Sequence, residues 1–295
     1  MKPRIVWLLL CGIWGSTWLF IKLGLNDLPP ITFAGIRFLV ASLILLGLMT
    51  LRGVSLPNTR RDWLLLLQTG VLSFSLNYGL IFWGEQYVSS GLAALLQATI
   101  PVFGLVIAHL YLPGEPLTSR RLLGAFLGMA GVATIFSNQL SLASPRALAG
   151  SSALVLSAIC VAYANVLVKA HGSRLNPMTL AAGQMLIGFV PLLLLGVPLE
   201  GNPLYYHWTP MAVLSLAYLA IVGSVIAFIL YYWLVQHMDV TKTMLIALVT
   251  PVFAVILGML VLDEQLNWRT VAGGTMIMSG IALAVLKRNK TKMPS

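Results

Sequence analysis

Pro101-Val102-Phe103 and Pro251-Val252-Phe253 are the same tripeptide, and they lie 150 residues apart in the chain. Many residues around them also match at nearly this offset. The matching pairs include Trp83 and Trp233, Gln86 and Gln236, Glu115 and Glu264, Gly124 and Gly273, and Gly131 and Gly280. Further upstream, Lys22 matches Lys169 and Pro30 matches Pro177 at an offset of 147. The chain is therefore one sequence unit written twice.

The composition places both units in a membrane. Only 26 of the 295 residues are charged (18 Lys or Arg and 8 Asp or Glu) and 59% are hydrophobic, whereas soluble domains carry about 25% charged residues. Ten apolar runs approach the roughly 20 residues that a helix needs to cross a bilayer. They are 4–24, 31–51, 63–84, 90–112, 120–137, 148–169, 177–197, 210–235, 242–262 and 269–286. Since backbone polar groups in lipid need internal partners, these runs predict an all-α membrane protein with ten transmembrane helices.

The basic residues orient the predicted bundle. If both termini lie on one side and the spans alternate, that side collects fourteen Lys and Arg residues, and the opposite side keeps only Lys22, Arg146 and Arg269. Such a bias predicts that both termini are cytoplasmic. Loops that face anionic lipid headgroups then explain the net charge of +10. We therefore expect the lipid bilayer, and no nucleic acid, as a partner.

The duplication divides the chain into two domains. We place the first repeat at 1–138, the second at 148–287 and a basic cytoplasmic tail at 288–295. Each repeat holds five predicted spans. Because five is odd, the second repeat crosses the membrane in the opposite sense. Inverted repeats of this kind occur in transporters whose halves exchange conformations and open alternately to either side.

Other kinds of segment and site find little support in the sequence. The start Met1-Lys2-Pro3-Arg4 resembles that of a signal peptide, but the apolar run continues to Gly24 without a cleavage site, so we expect an uncleaved first span. Cys11 and Cys160 fall inside predicted spans and lack metal-binding spacing. Motifs of metalloproteases and serine hydrolases are absent from the sequence. We predict that the protein is not an enzyme and binds no metal and no cofactor.

Several short motifs carry a resemblance to one family. They are Trp14-Gly15-Ser16-Thr17, Ala34-Gly35-Ile36-Arg37-Phe38, the run 91–102, Gly114-Glu115-Pro116-Leu117, and in the second repeat Thr250-Pro251-Val252-Phe253 and Asp263-Glu264-Gln265-Leu266. Together they resemble the EamA branch of the drug/metabolite transporter superfamily across essentially the whole chain, and amino-acid exporters of the YddG type are the nearest comparison. The resemblance implies two inverted five-helix EamA repeats. It also implies a bacterial inner-membrane exporter of amino acids or other small metabolites, with a central cavity lined by spans 1, 3, 4, 6, 8 and 9.

Polar and aromatic residues of spans 1 and 3 are candidates for substrate binding. Trp14, Thr17 and Trp18 share one face of span 1 and offer aromatic surface and a hydroxyl. The alternative is that the tryptophans belong to the membrane interface. Asn77 and Tyr78 in span 3 predict an inward-facing polar patch, because an amide inside a membrane needs a partner. That partner is either the substrate or a neighbouring helix.

Spans 4 and 9 contain the paired prolines. Pro101 lacks an N–H and leaves the carbonyl of Gln97 unpaired, close to that residue's own amide. Pro251 does the same in span 9, with Thr250 beside it. Broken helices at corresponding positions of two repeats point to a substrate site near the membrane midplane. The alternative is a kink that serves packing alone.

Spans 6 and 2 hold the remaining polar candidates. Tyr163 and Asn165 are two residues apart in span 6 and cannot both face one cavity; we prefer Tyr163. Arg37 is the one charge well inside a span, and its repeat partner is Gln184. It either balances a substrate carboxylate or ties span 2 to neighbouring backbone. We favour the structural role, because span 2 is peripheral in the family that the chain resembles.

The distribution of acidic residues bears on the energy source. No Asp or Glu lies near the middle of a predicted span, and Glu85 at the end of span 3 comes closest. Proton-driven pumps usually hold carboxylates there, so we expect facilitated efflux, with a proton-coupled antiporter, a channel or a membrane enzyme as alternatives. Gly124 and Gly128 form a small-xxx-small pair that serves either a dimer contact or packing within the bundle. We expect a monomer, with a dimer as the alternative.

Overall fold

The computed structural model of the protein describes residues 2–88, 90–135, 137, 144–250, 252–253 and 268–285. Every regular element within these ranges is a helix, which confirms the prediction of an all-α protein for this part of the chain. In chain order the helices are α1 (Pro3–Gly24), α2 (Pro30–Leu51), α3 (Arg60–Gly84), α4 (Ser90–Gln97), α5 (Ile100–Tyr111), α6 (Ser119–Ile135), α7 (Pro145–His171), α8 (Pro177–Glu200), α9 (Pro210–His237), α10 (Val240–Thr250) and α11 (Trp268–Val285).

Six of these helices, α1, α2, α3, α7, α8 and α9, are long and apolar enough to cross a membrane. The chain is thus a multi-pass membrane protein. α5, α10 and α11 belong to shorter apolar helices. The helices follow the order of the predicted runs, and α4 and α5 together occupy the fourth. The count of ten spans stays a prediction, because the ninth run beyond residue 253 lies outside the described residues.

The long helices begin where the local sequence favours a helix start. α2, α7, α8 and α9 each begin with proline, whose missing N–H has no partner to lose at that position. Side-chain caps precede three of them. Ser144, Asn176 and Thr209 accept hydrogen bonds from backbone N–H groups of the first turn.

α3 and α9 share an irregularity that the sequence reading did not predict. Each contains a wide π-helical segment, Val71–Leu76 in α3 and Ile221–Ile226 in α9. The two segments are 150 residues apart, like the two Pro-Val-Phe segments. Such segments inside helices are frequent at functional sites. The duplication therefore extends to the irregular parts of the backbone.

α6 and α11 cross at glycines that are related by the duplication. A Cβ atom on Gly124 would lie 2.5 Å from the carbonyl oxygen of Gly280, and a Cβ atom on Gly131 would lie 2.5 Å from that of Gly273. Gly124 matches Gly273 in the repeat, and Gly131 matches Gly280, so the contacts are reciprocal. Of the two roles considered for Gly124, the structure shows packing within the bundle.

Two glutamates join the ends of helices to the starts of others. Glu115, after α5, accepts hydrogen bonds from the backbone N–H groups of Val240 and Thr241 at 2.7 and 3.0 Å, and from the Thr241 hydroxyl at 2.7 Å. Glu200, at the end of α8, makes the same three kinds of contact at the start of α2. A carboxylate there satisfies N–H groups that have no partner inside the helix. Each glutamate thus links one repeat to the other.

Candidate functional site

A cavity of about 160 Å³ lies inside the helix bundle. The first repeat contributes residues of α1, α2, α3, α4 and α5 to its wall, and the second contributes residues of α7, α9 and α10. These elements are the spans that the family resemblance implies, with α2 in addition. The cavity therefore lies where the two repeats meet.

Six of the predicted site residues lie in this wall. They are Trp14, Thr17, Asn77, Tyr78, Gln97 and Thr250. The side chain of Trp18 and the whole of Pro251 lie outside the described residues. Pro101 is the second residue of α5, directly after the turn at Ala98 and Thr99 that separates α4 from α5. The structure thus brings together candidates from spans 1, 3, 4 and 9.

Tyr163 does not lie in the cavity wall, and Asn165 does. The Tyr163 ring contacts the ring of Tyr111 in α5, with their centroids 5.7 Å apart, and Tyr111 is exposed at the bundle surface. Our preference for Tyr163 is therefore corrected to Asn165. Side chains two positions apart on a helix point in directions that differ by about 200°. The packing of α7 therefore sets which of the two points into the cavity.

The Gln97 side chain has a structural contact besides its place in the wall. Its amide nitrogen donates to the Ser157 hydroxyl at 2.6 Å and to the Leu154 carbonyl at 3.2 Å, both in α7. Gln97 thus connects the helix before the break to the second repeat. Both alternatives for a buried polar group, a neighbouring helix and the cavity, apply to this residue.

Aromatic residues of α9 complete the wall and were missed in the sequence reading. Phe228 and Tyr231 line the cavity and contact the Trp14 ring, with centroids 5.5 and 5.1 Å away. The available signal was the spacing of these two aromatic residues, which places them on one face of the helix. Trp14 of the first repeat thus packs against Phe228 and Tyr231 of the second, and these rings make the cavity lining largely apolar.

Arg37 also lies in the cavity wall, although its span was expected to be peripheral. The side chain is 1% exposed. Its Nε donates to the Ser224 hydroxyl at 2.9 Å and its Nη2 to the Gly223 carbonyl at 3.2 Å, within the π-helical segment of α9. The structural role that we favoured is present. Its place in the wall also meets the geometric requirement of the second role, which is contact with a substrate carboxylate.

Among the acidic residues that the structure describes, Glu85, directly after α3, has a pKa that is raised toward neutral pH. One of its carboxylate oxygens is buried without a hydrogen-bond partner, and this loss of hydration raises the pKa of Glu85 from 4.5 to about 7. The folded protein therefore holds this proton more tightly than the unfolded chain does. Stability contributed by protonated Glu85 is complete below pH 4.5 and is lost between pH 4.5 and 7.

We predict that Glu85→Gln stabilises the protein at pH 8 by up to about 3 kcal/mol, because the substitution removes the cost of a buried carboxylate. At pH 4.5 the variant and the wild-type protein should unfold at nearly the same temperature. Thermal unfolding in detergent at both pH values measures the effect. An equal difference between the two proteins at pH 4.5 and pH 8 would contradict the assignment.

Three known proteins are similar to this chain in sequence. The chain is 27% identical to the "Uncharacterized transporter YoaV" of Bacillus subtilis over 95% of this chain and 96% of that one. It is 33% identical to the "Uncharacterized inner membrane transporter YedA" of Escherichia coli K12 over 83% and 78%. It is 25% identical to a "Probable amino-acid metabolite efflux pump" of the same organism over 96% and 95%.

The same fold is found among solved structures, and one of them is a crystal structure of a protein. It superposes with a TM-score of 0.82, covers 96% of each chain and is 18% identical in sequence. The model of the EamA-like transporter family matches this chain twice, at residues 2–137 and 148–286. The two matches together span most of the sequence, and the names of the relatives indicate transporters rather than enzymes. The chain belongs to the EamA-like transporter family.

Proposed function

We propose that the protein exports amino acids or similar small metabolites across the bacterial inner membrane. The observation that carries this proposal is the cavity, whose wall combines polar and aromatic residues of both repeats. Small-molecule sites in proteins have this composition, an apolar lining with a few placed polar groups. A relative with the name "Probable amino-acid metabolite efflux pump" supports the choice of solute, and a relative named as an inner membrane transporter supports the location.

The transport cycle in this proposal is alternating access by two inverted repeats of five spans each, with both termini cytoplasmic. Three contacts join the repeats at the face where α1 begins. Trp7 donates to the Lys242 carbonyl at 3.1 Å, Arg121 pairs with Asp239 at 3.3 Å, and Glu115 holds the start of α10. For solute to enter from this face, these contacts must break. We propose that they form and break once in each cycle of a monomer.

Facilitated transport down the solute gradient is the mode that the cavity supports best. None of the residues that line it in the described part of the chain is Asp or Glu, whereas proton-coupled carriers usually hold such groups along the path. The runner-up is a proton-coupled antiporter, favoured by Glu85 at the end of α3 with its pKa of about 7.

Counterflow in proteoliposomes tests the proposal. Vesicles loaded with an unlabelled amino acid should accumulate the labelled amino acid transiently, because a carrier exchanges solute faster than it moves net solute. Failure of every amino acid to accelerate uptake of its labelled form would remove the amino-acid carrier proposal. A pH gradient is then imposed without preloading. Accumulation driven by that gradient would replace facilitated transport with the antiporter.

A further inference from the structure

We propose that the cavity binds a solute through its carboxylate, with Arg37 as the counter-charge. Trp14 serves as a second hydrogen-bond donor and Asn77 as an acceptor for a donor group on the same solute. This inference deepens the proposed function, on which it rests, by naming the chemical group that the site recognises.

The first argument is the charge of Arg37. The guanidinium is buried, and its Nη1 has no hydrogen-bond partner in the described structure. Its neighbours are the rings of Phe38 and Tyr78, at 5.1 and 5.2 Å from the guanidinium carbon to the ring centroids. The two rings, and the neutral phenol group of Tyr78, attract a cation without cancelling its charge. A buried charge needs an opposite charge, or it is costly.

No protein carboxylate meets that need in the described part of the chain. Asp62 pairs with Arg174, and Asp239 pairs with Arg121 and Lys242. Asp27 and Glu85 form no ion pair with Arg37, and none of these four acids lines the cavity. Glu115 and Glu200 hold the starts of α10 and α2. The opposite charge for Arg37 is therefore assigned to the solute.

The second argument is a pair of further unsatisfied groups in the same wall. The indole Nε1 of Trp14 and the amide oxygen of Asn77 are both buried without a partner. The Asn77 nitrogen donates to the Ser73 carbonyl at 3.2 Å, and this contact fixes which end of the amide is the oxygen. Buried polar atoms are almost always hydrogen-bonded. Two donors and one acceptor fit a carboxylate that is accompanied by an N–H or O–H group.

The third argument comes from the duplication. The counterpart of Arg37 is Gln184, which is fully buried and donates to the Thr69 hydroxyl at 2.6 Å, while the Tyr232 hydroxyl donates to its oxygen. Gln184 is absent from the cavity wall. The fold thus accommodates a neutral, fully bonded glutamine at this position of the repeat. The charge is present only in the copy that reaches the cavity.

The experiment compares matched probes that differ in charge. 3-Phenylpropionate and its neutral amide, and L-phenylalanine and L-phenylalaninamide, are titrated against the purified full-length protein in detergent, with the unfolding temperature as the readout. For the wild-type protein, each acid should reach its half-maximal effect at a concentration about tenfold or more below that of its amide. Equal concentrations for acid and amide would overturn the proposal.

Three variants locate the recognition. Arg37→Gln, which copies the residue of the second repeat, should lose the preference for the acids. Arg37→Lys should keep part of it, because the charge stays and the planar fork is lost. Trp14→Phe should weaken binding of the acids by about fivefold, because one donor is removed from a ring of similar shape. If Arg37→Gln folds and retains the full preference, the proposal is wrong; if it does not fold, Arg37→Lys and the wild-type comparison decide.

The outcomes separate this inference from the proposed function. Binding of 3-phenylpropionate that depends on Arg37, together with no counterflow of any amino acid, would keep the carboxylate site and remove amino-acid export. Counterflow of amino acids at the wild-type rate in Arg37→Gln would keep export and remove the carboxylate site.

Discussion

Gly124→Ala in α6 should destabilise the protein by about 3 kcal/mol and lower its unfolding temperature by about 8 °C. The added Cβ would lie 2.5 Å from the carbonyl oxygen of Gly280 and 2.9 Å from the backbone nitrogen of Ala284. Both atoms belong to the backbone of α11, so no side-chain rotation relieves the overlap. α6 of the first repeat and α11 of the second must therefore move apart where they cross. Thermal unfolding in detergent, followed by size-exclusion chromatography, measures the loss.

Gly274→Ala in α11 is the matched control. Apart from the helix's own backbone, no atom of the described residues would lie within 4 Å of a Cβ atom at Gly274. The substitution brings the same gain in helix propensity, up to about 1 kcal/mol. This variant should be as stable as the wild-type protein or slightly more stable. A similar loss in both variants would show that the close crossing of α6 and α11 is not what the glycines provide.

Glu115→Gln should cost about 3 kcal/mol and lower the unfolding temperature by about 8 °C. The carboxylate is 4% exposed and accepts three hydrogen bonds at the first residues of α10. Glutamine has only one acceptor oxygen, so its amide nitrogen would face a backbone N–H or the Thr241 hydroxyl. A buried N–H group at the start of α10 then stays without a partner.

Arg121→Gln supplies the comparison at the same face of the bundle. Arg121 pairs with Asp239 at 3.3 Å, and their side chains are 18% and 34% exposed. A partly exposed ion pair of this kind contributes under about 1 kcal/mol. If Arg121→Gln destabilises the protein as much as Glu115→Gln does, the buried carboxylate has no special role in holding α10.

The class of fold followed from general properties of the sequence. Apolar runs of sufficient length between charged loops allow few structures other than membrane helices, since lipid offers no partners for backbone groups. The duplication is also visible in matching glycines, because Gly124 and Gly280 lie against backbone that leaves no room for a side chain. Positions with such strict steric limits are visible in a sequence.

The π-helical segments of α3 and α9 could not be predicted in the same way. Val71–Leu76 and Ile221–Ile226 contain no proline and only one glycine between them, so no residue type marks them. Both segments bond to neighbouring helices, since the Ser75 hydroxyl donates to the Gly188 carbonyl of α8 and Arg37 of α2 donates to the Gly223 carbonyl. The spacing of apolar and polar residues indicates which face of a helix is buried. It does not show the local change in rotation per residue that a π-helical segment introduces.

The sequence predicted most of the residues of the candidate site, but it did not predict which way the side chains of α7 point. Trp14, Asn77 and Gln97 are in the wall because polar or amphipathic groups inside a membrane protein turn inward. The direction of a single helix is a different matter. Tyr163 and Asn165 satisfy the same rule, and only the packing of α7 against α5 decides between them.

Transport by Asn165→Leu and by Tyr163→Leu tests most directly whether this cavity is the path of the solute. Both residues lie in α7, two positions apart, and only Asn165 lines the cavity. Initial rates of amino-acid counterflow are compared in proteoliposomes with equal amounts of folded protein. Asn165→Leu should transport about tenfold more slowly, as expected for one lost hydrogen bond to the solute, and Tyr163→Leu should stay within about twofold of the wild-type rate. Slow transport by Tyr163→Leu together with an unchanged rate for Asn165→Leu would contradict the account.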